Sequence, residues 1–190
     1  MVSKLSAKIA DHLCATAVIT EEDKDLYSYG FFVILSRVLF FFIAATFGLI
    51  LHIAIESIVF FILFCSIRSY AGGVHASSEL KCSVYTTSAI LLCILGIKLF
   101  IQYNLDYILA FILILSLICI LALSPLDSLE KPLSKQDKNH YRKVTRIITG
   151  LIVALTLIFY LLELKSISNS CVVSLLLESI LLIAGKLKNI

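Results

Sequence analysis

Two side chains with the chemistry for thiol catalysis, His75 and Cys82, share one polar island between long apolar runs. The island reads Arg68-Ser69-Tyr70-Ala71-Gly72-Gly73-Val74-His75-Ala76-Ser77-Ser78-Glu79-Leu80-Lys81-Cys82. A thiol is a weak nucleophile until a base takes its proton, and imidazole does this near neutral pH. In one unbroken helix the spacing would put both groups on the same face but about 10 Å apart along the axis. A base must come within roughly 3 Å of its nucleophile. The pairing therefore requires a helix that starts after His75 and a loop that folds the imidazole back onto it. Gly72-Gly73 permits the dihedrals such a loop needs. Ser77 or Ser78 can cap the helix, with Glu79 in its first turn. Cys82 then lies near the helix start, where the helix dipole, Lys81 and the imidazole all act to activate it.

Spacing alone leaves another reading open, in which His75 is a solvated loop histidine and Cys82 a small packing residue. A metal centre is the weaker alternative, because two ligands without further clustered His or Cys cannot close a tetrahedral zinc. No metal or cofactor is expected. Arg68 reads either as an interfacial anchor that snorkels or as a docking group for a substrate carboxylate. Of the other cysteines, Cys65, Cys93 and Cys119 lie inside apolar runs and behave as small hydrophobes. No CxxC pair suggests a redox or zinc motif.

The elements that must hold this loop are membrane helices. Hydrophobic residues make up 60% of the 190, only 15% are charged, and the mean hydropathy is +1.02. That leaves too little polar surface to coat a globule, so apolar surface faces lipid. No basic surface interleaved with aromatics points to nucleic acid. Runs at about 31–51, 54–67, 83–101, 107–123, 147–162 and 171–184 predict about six transmembrane helices, each crossing a core about 30 Å thick. The sixth looks short and is interrupted by Glu178, whose partner the sequence does not reveal. His52 and Glu56 mark the turn between the first two runs, and Arg37 sits within the first.

Positive loops stay in the cytoplasm. Lys131, Lys135, Lys138, Arg142, Lys143 and Arg146 cluster between spans four and five. Counting spans then puts the His75–Cys82 loop and the N-terminus on the same, cytoplasmic side; with six spans the tail carrying Lys186 and Lys188 joins them, whereas a five-span form would place it outside. Residues 1–25 form a separate element ahead of the membrane domain at 26–190. Val2, Leu5, Ile9, Leu13 and Ala17 make an apolar helical stripe, suited to the headgroup plane or to packing on other helices. Thr20 followed by Glu21-Glu22-Asp23 resembles a capping box that restarts a helix. The expected fold is all-α and polytopic, with an amphipathic interfacial helix at the N-terminus and the lipid bilayer as partner.

At these residues the sequence resembles the accessory gene regulator protein B family of Gram-positive bacteria, membrane endopeptidases that process quorum-sensing propeptides. Arg68, Ala71-Gly72-Gly73, His75-Ala76 and Cys82 stand in register after two hydrophobic spans. A second block, Ser124-Pro125-Leu126-Asp127 and then Lys131-Pro132-Leu133, follows span four. Val74 stands where an aromatic is common, and Glu130 where asparagine is common. The resemblance implies Cys82 as nucleophile and His75 as its base, in a bacterial cytoplasmic membrane. It also implies a propeptide substrate with an amphipathic leader and an acidic C-terminal tail. Removal of the tail would leave a thioester on the enzyme, resolved by macrocyclisation to a thiolactone or lactone.

Bottom-up features suit such a substrate. Lys131, Lys135 and Lys138 can attract an acidic tail as well as fix topology, and Arg68, Gly72 and Gly73 can border the bound peptide. A homodimer is compatible with the sequence but not demanded by it. The rival reading is a non-enzymatic membrane peptide transporter or sensor, which would use Arg37, Glu56 and Glu178.

Overall fold

Several of the apolar runs sit inside longer helices, because polar residues flanking them continue the backbone ladder towards water. In the computed structural model, which describes residues 2–73, 79–126 and 134–188, the helices are α1 (Val2–Ala15), α2 (Lys24–Ile50), α3 (Ala54–Ala71), α4 (Glu79–Tyr103), α5 (Asp106–Leu123), α6 (Lys135–Leu161) and α7 (Lys165–Lys188). Among the described residues there is no strand, only an isolated bridge between Gly72 and Leu126. Helices α2, α3, α4, α6 and α7 are long and apolar enough to cross a membrane, and α5 is a shorter apolar helix. Closed backbone hydrogen bonding is what lets a helix lie in hydrocarbon. The chain is an all-α polytopic membrane protein.

By contacts the chain divides into two units, Met1–Ile43 and Ala44–Ile190. In the first, Thr20 Oγ1 accepts from the Asp23 amide at 3.3 Å, the amide half of a capping box, and donates to Asp23 Oδ2 at 2.8 Å, closing the turn just ahead of α2. Lys24 at the start of α2 pairs with Asp11 of α1 at 2.8 Å. The buried positions of α1 are Ser6 and Ala10, while Leu5 is exposed. The apolar stripe is thus shifted from the one expected. It also ends early, because Ala17 lies beyond α1 with a left-handed φ of 54°.

In the second unit α7 packs against α3, α4, α5 and α6 and is the most enclosed helix of the bundle. The expectation of a short, interrupted sixth span is corrected here. The helix is continuous over 24 residues, about 36 Å at 1.5 Å per residue. Ser168, Asn169, Ser170, Ser174 and Ser179 are buried along it. Small residues let neighbouring backbones approach closely, and the hydroxyls are satisfied nearby. Ser168 donates to the Thr156 carbonyl of α6 at 3.0 Å, and Ser174 to the Cys171 carbonyl at 2.7 Å.

The basic segment between spans four and five also differs from expectation. From Lys135 onward it is the first three turns of α6, not loop. Ser134 is the reason. Its side chain accepts from the Asp137 amide at 3.1 Å and caps the helix. Tyr141, Thr145, Thr149, Ile152 and Thr156 form the half-buried to buried face of α6, with Arg142, Lys143 and Arg146 exposed.

Candidate active site

Cys82 lies in the first turn of α4, half-buried, four residues into a helix that begins at Glu79. The described part of that helix runs from Glu79 to Tyr103. His75 itself lies outside the described residues, as do Ser77 and Ser78. Gly73, two positions before His75, is the last described residue on that side of the segment. The structure of the chain up to Gly73 therefore bears directly on the site.

That structure is tightly specified. The Leu126 amide donates to the Ala71 carbonyl at 3.0 Å, and Gly72 and Leu126 bridge in parallel. The two sequence blocks singled out above, Ala71-Gly72-Gly73 and Ser124-Pro125-Leu126, are thereby brought together. The Ser124–Pro125 bond is cis. Because α3 and α5 both finish at this contact, the connections that follow them leave from the same end of the second unit. Gly72 has φ +80° and Gly73 φ +128°, a region that L side chains avoid. A Cβ on Gly72 would lie 2.4 Å from the Leu126 carbonyl oxygen. A Cβ on Gly73 would fall on the guanidinium of Arg68.

Arg68, in the last turn of α3, donates through Nη1 to the Gly72 carbonyl. The same Nη1 is 3.7 Å from Glu178 Oε1. Glu178 is fully buried in α7, and among the described residues neither carboxylate oxygen has a partner within ordinary hydrogen-bond distance, so Arg68 answers it as an ion pair. Sequence reasoning missed this pair. A signal existed: a glutamate inside one apolar run and an arginine at the edge of another, of opposite charge and each near a basic segment. A substrate carboxylate docking on Arg68 would have to compete with Glu178.

Lys131 lies outside the described residues, together with Asp127 and Glu130. Lys135 and Lys138 belong to the first turns of α6, and Lys138 is half-buried. Tyr141 of α6 faces Tyr70 of α3, with ring centroids 6.1 Å apart and planes inclined at 58°. Aromatic pairs favour such tilted contacts, so this one ties the basic helix to the segment that leads into the loop. None of the six cysteines is in a disulfide, and Cys171 is the buried one, between α7 and its neighbours.

The chain is similar to known proteins along most of its length. Residues 6–182 match the family described as Accessory gene regulator B. AgrB-like protein 2 of Clostridium perfringens strain 13 is 23% identical over 149 residues, covering 75% of this chain and 69% of the relative. An AgrB-like protein of C. perfringens strain SM101 is 24% identical over the same length, with the same coverage. No solved structure matches. With nearly its whole length matched, this chain belongs to the accessory gene regulator B family, the membrane proteins that process autoinducer peptides in agr quorum sensing.

Proposed function

We propose that this protein is a multi-pass cysteine endopeptidase of the bacterial cell membrane that cuts a signal propeptide on the cytoplasmic side and cyclises the product. The observation that carries the reading is the position of Cys82, half-buried in the first turn of α4, with the chain towards His75 anchored at Gly72. Cys82 Sγ gives its proton to His75 and attacks the scissile carbonyl. The amide C–N bond breaks, and the acidic tail leaves as an amine that takes the proton from His75. The signal segment remains as a thioester on Cys82. An internal cysteine of the peptide then attacks that thioester, closing a thiolactone and returning Cys82 as a thiol. An internal serine would give the lactone instead.

One thioester replaces another in the cysteine case, so closure needs no ATP. Hydrolysis is the competing, downhill route, and a site at the membrane surface limits it by restricting water. The first amides of a helix lack intrahelical acceptors, so those at the start of α4 suit the oxyanion. Cytoplasmic placement follows from the basic residues on the α6 turns and on the α7 tail. The contact between Ala71 and Leu126 supports it, since it joins the loop after α3 to the loop after α5. Trapping tests the chemistry. Purified protein mixed with propeptide should yield a transient covalent adduct that hydroxylamine cleaves and that Cys82→Ala cannot form. Tail release without any such adduct would sink the acyl-enzyme.

The lysines make a separate prediction. Replacing Lys131, Lys135 and Lys138 together by Gln should raise KM for the propeptide and leave kcat nearly intact. Exposed ion pairs are each worth up to about 1 kcal/mol, so the three together shift KM by about ten- to hundredfold. High salt should mimic the change, because it screens surface charge. Unchanged cleavage at limiting substrate would assign these residues to topology alone.

A further inference from the structure

We propose that Glu178 is a positioning residue for catalysis: through its ion pair with Arg68 it holds the guanidinium on the Gly72 carbonyl and so fixes where the chain departs towards His75. The inference rests on the peptidase reading of Cys82 and His75. It assigns a role to a buried carboxylate that the chemistry itself does not use.

The geometry has three parts. Glu178 is fully buried on α7, and Arg68 Nη1 stands between its carboxylate and the Gly72 carbonyl. The guanidinium occupies the space that a side chain on Gly73 would fill, so it forms the wall against which that residue turns. The third part is α7 itself, which packs on both α3 and α4. The chain towards His75 leaves from the end of α3, and Cys82 sits on α4. One helix therefore packs on both the element that leads to His75 and the element that carries Cys82.

A charge pair is an expensive way to hold two helices together. Desolvating two ions often offsets their attraction, and apolar residues of similar size frequently serve stability as well. An ionisable residue kept within a membrane helix points instead to a functional demand. The demand here is directional: an apolar side chain at position 68 cannot hold a carbonyl. Small misplacements are costly, since about 1 Å at a reacting centre can lower a rate about a hundredfold.

Two measurements on the full-length protein test the proposal. The first is propeptide processing, resolved into kcat and KM. The second is alkylation of Cys82 by iodoacetamide at neutral pH, in a background where the other five cysteines are alanine. Because His75 withdraws the thiol proton, His75→Ala sets the slow limit of alkylation. Glu178→Gln should lower kcat at least about tenfold with KM within about twofold, and should slow alkylation towards that limit. Glu178→Asp should recover part of both. Arg68→Met with Glu178→Leu removes the pair without stranding a charge. That double variant should insert normally and still show the low kcat and slow alkylation, which separates positioning from folding.

Wild-type kcat and alkylation in both Glu178→Gln and the double variant would overturn the positioning role while leaving the peptidase reading intact. If instead His75→Ala alkylates like wild type and Cys82→Ala still processes propeptide, the peptidase reading itself fails and the inference falls with it.

Discussion

Cys82→Ala and His75→Ala should each abolish propeptide cleavage while the protein remains inserted and folded. Loss of the nucleophile removes the covalent route altogether, so activity should fall at least about a thousandfold. Loss of the base costs about a hundred- to ten-thousandfold, the span general-base catalysis covers. Cys82→Ser should be nearly as inactive as the alanine variant, because imidazole activates a hydroxyl far less readily than a thiol. The other cysteines provide the contrast. Cys93 and Cys119 lie half-buried within α4 and α5, and Cys65 within α3. Alanine at any of the three should leave substantial activity, since each removes only a small apolar group. The measurement is tail release from purified propeptide, with membrane insertion checked for every variant. Intact processing by Cys82→Ala would remove the peptidase assignment and favour a transporter or sensor built from the same helices.

Much of the architecture was legible because hydrocarbon imposes a simple demand. A run of about twenty apolar residues has one stable fate in lipid, so the positions of α2 to α6 follow from the sequence. Their ends did not, because Lys135 to Arg146 is polar enough to read as loop while Ser134 caps it as helix. The burial of α7 was illegible for a related reason. Lipid tails and a bundle interior are equally apolar, so composition cannot say which helix is central. Its serines and Glu178 were the clue, and they read at first as a defect. The site was half legible. Residue types suggested a nucleophile and a base, and Gly72-Gly73 a bend, of which the described residues show the bend. That the bend lies against Leu126, and that Arg68 bridges it to Glu178, depends on contacts across more than fifty and one hundred residues. No local pattern encodes these.

Gly72→Ala should cripple processing more than its size suggests. The residue has φ +80° and ψ −153°, a region open in practice only to glycine, where other residues pay about 1–3 kcal/mol. Sterics act in the same direction. The added Cβ would meet the Leu126 carbonyl oxygen at 2.4 Å, and that atom is backbone. It cannot swing aside as a side chain would, and moving it strains the Leu126 amide that holds the Ala71 carbonyl at 3.0 Å. The expected result is undocking of the segment that leads to His75, with kcat reduced by about ten- to a hundredfold, since each 1.4 kcal/mol is a factor of ten. Gly96→Ala and Gly150→Ala are the matched controls. Both glycines lie inside helices where a Cβ meets nothing within 4 Å, and alanine there gains up to about 1 kcal/mol of helix propensity. They should process propeptide normally and melt no lower than wild type. Because the strain in Gly72→Ala is confined to one end of the bundle, its melting temperature should fall far less than its activity. Wild-type kcat in a well-inserted Gly72→Ala protein would show that docking on Leu126 is not what positions the base.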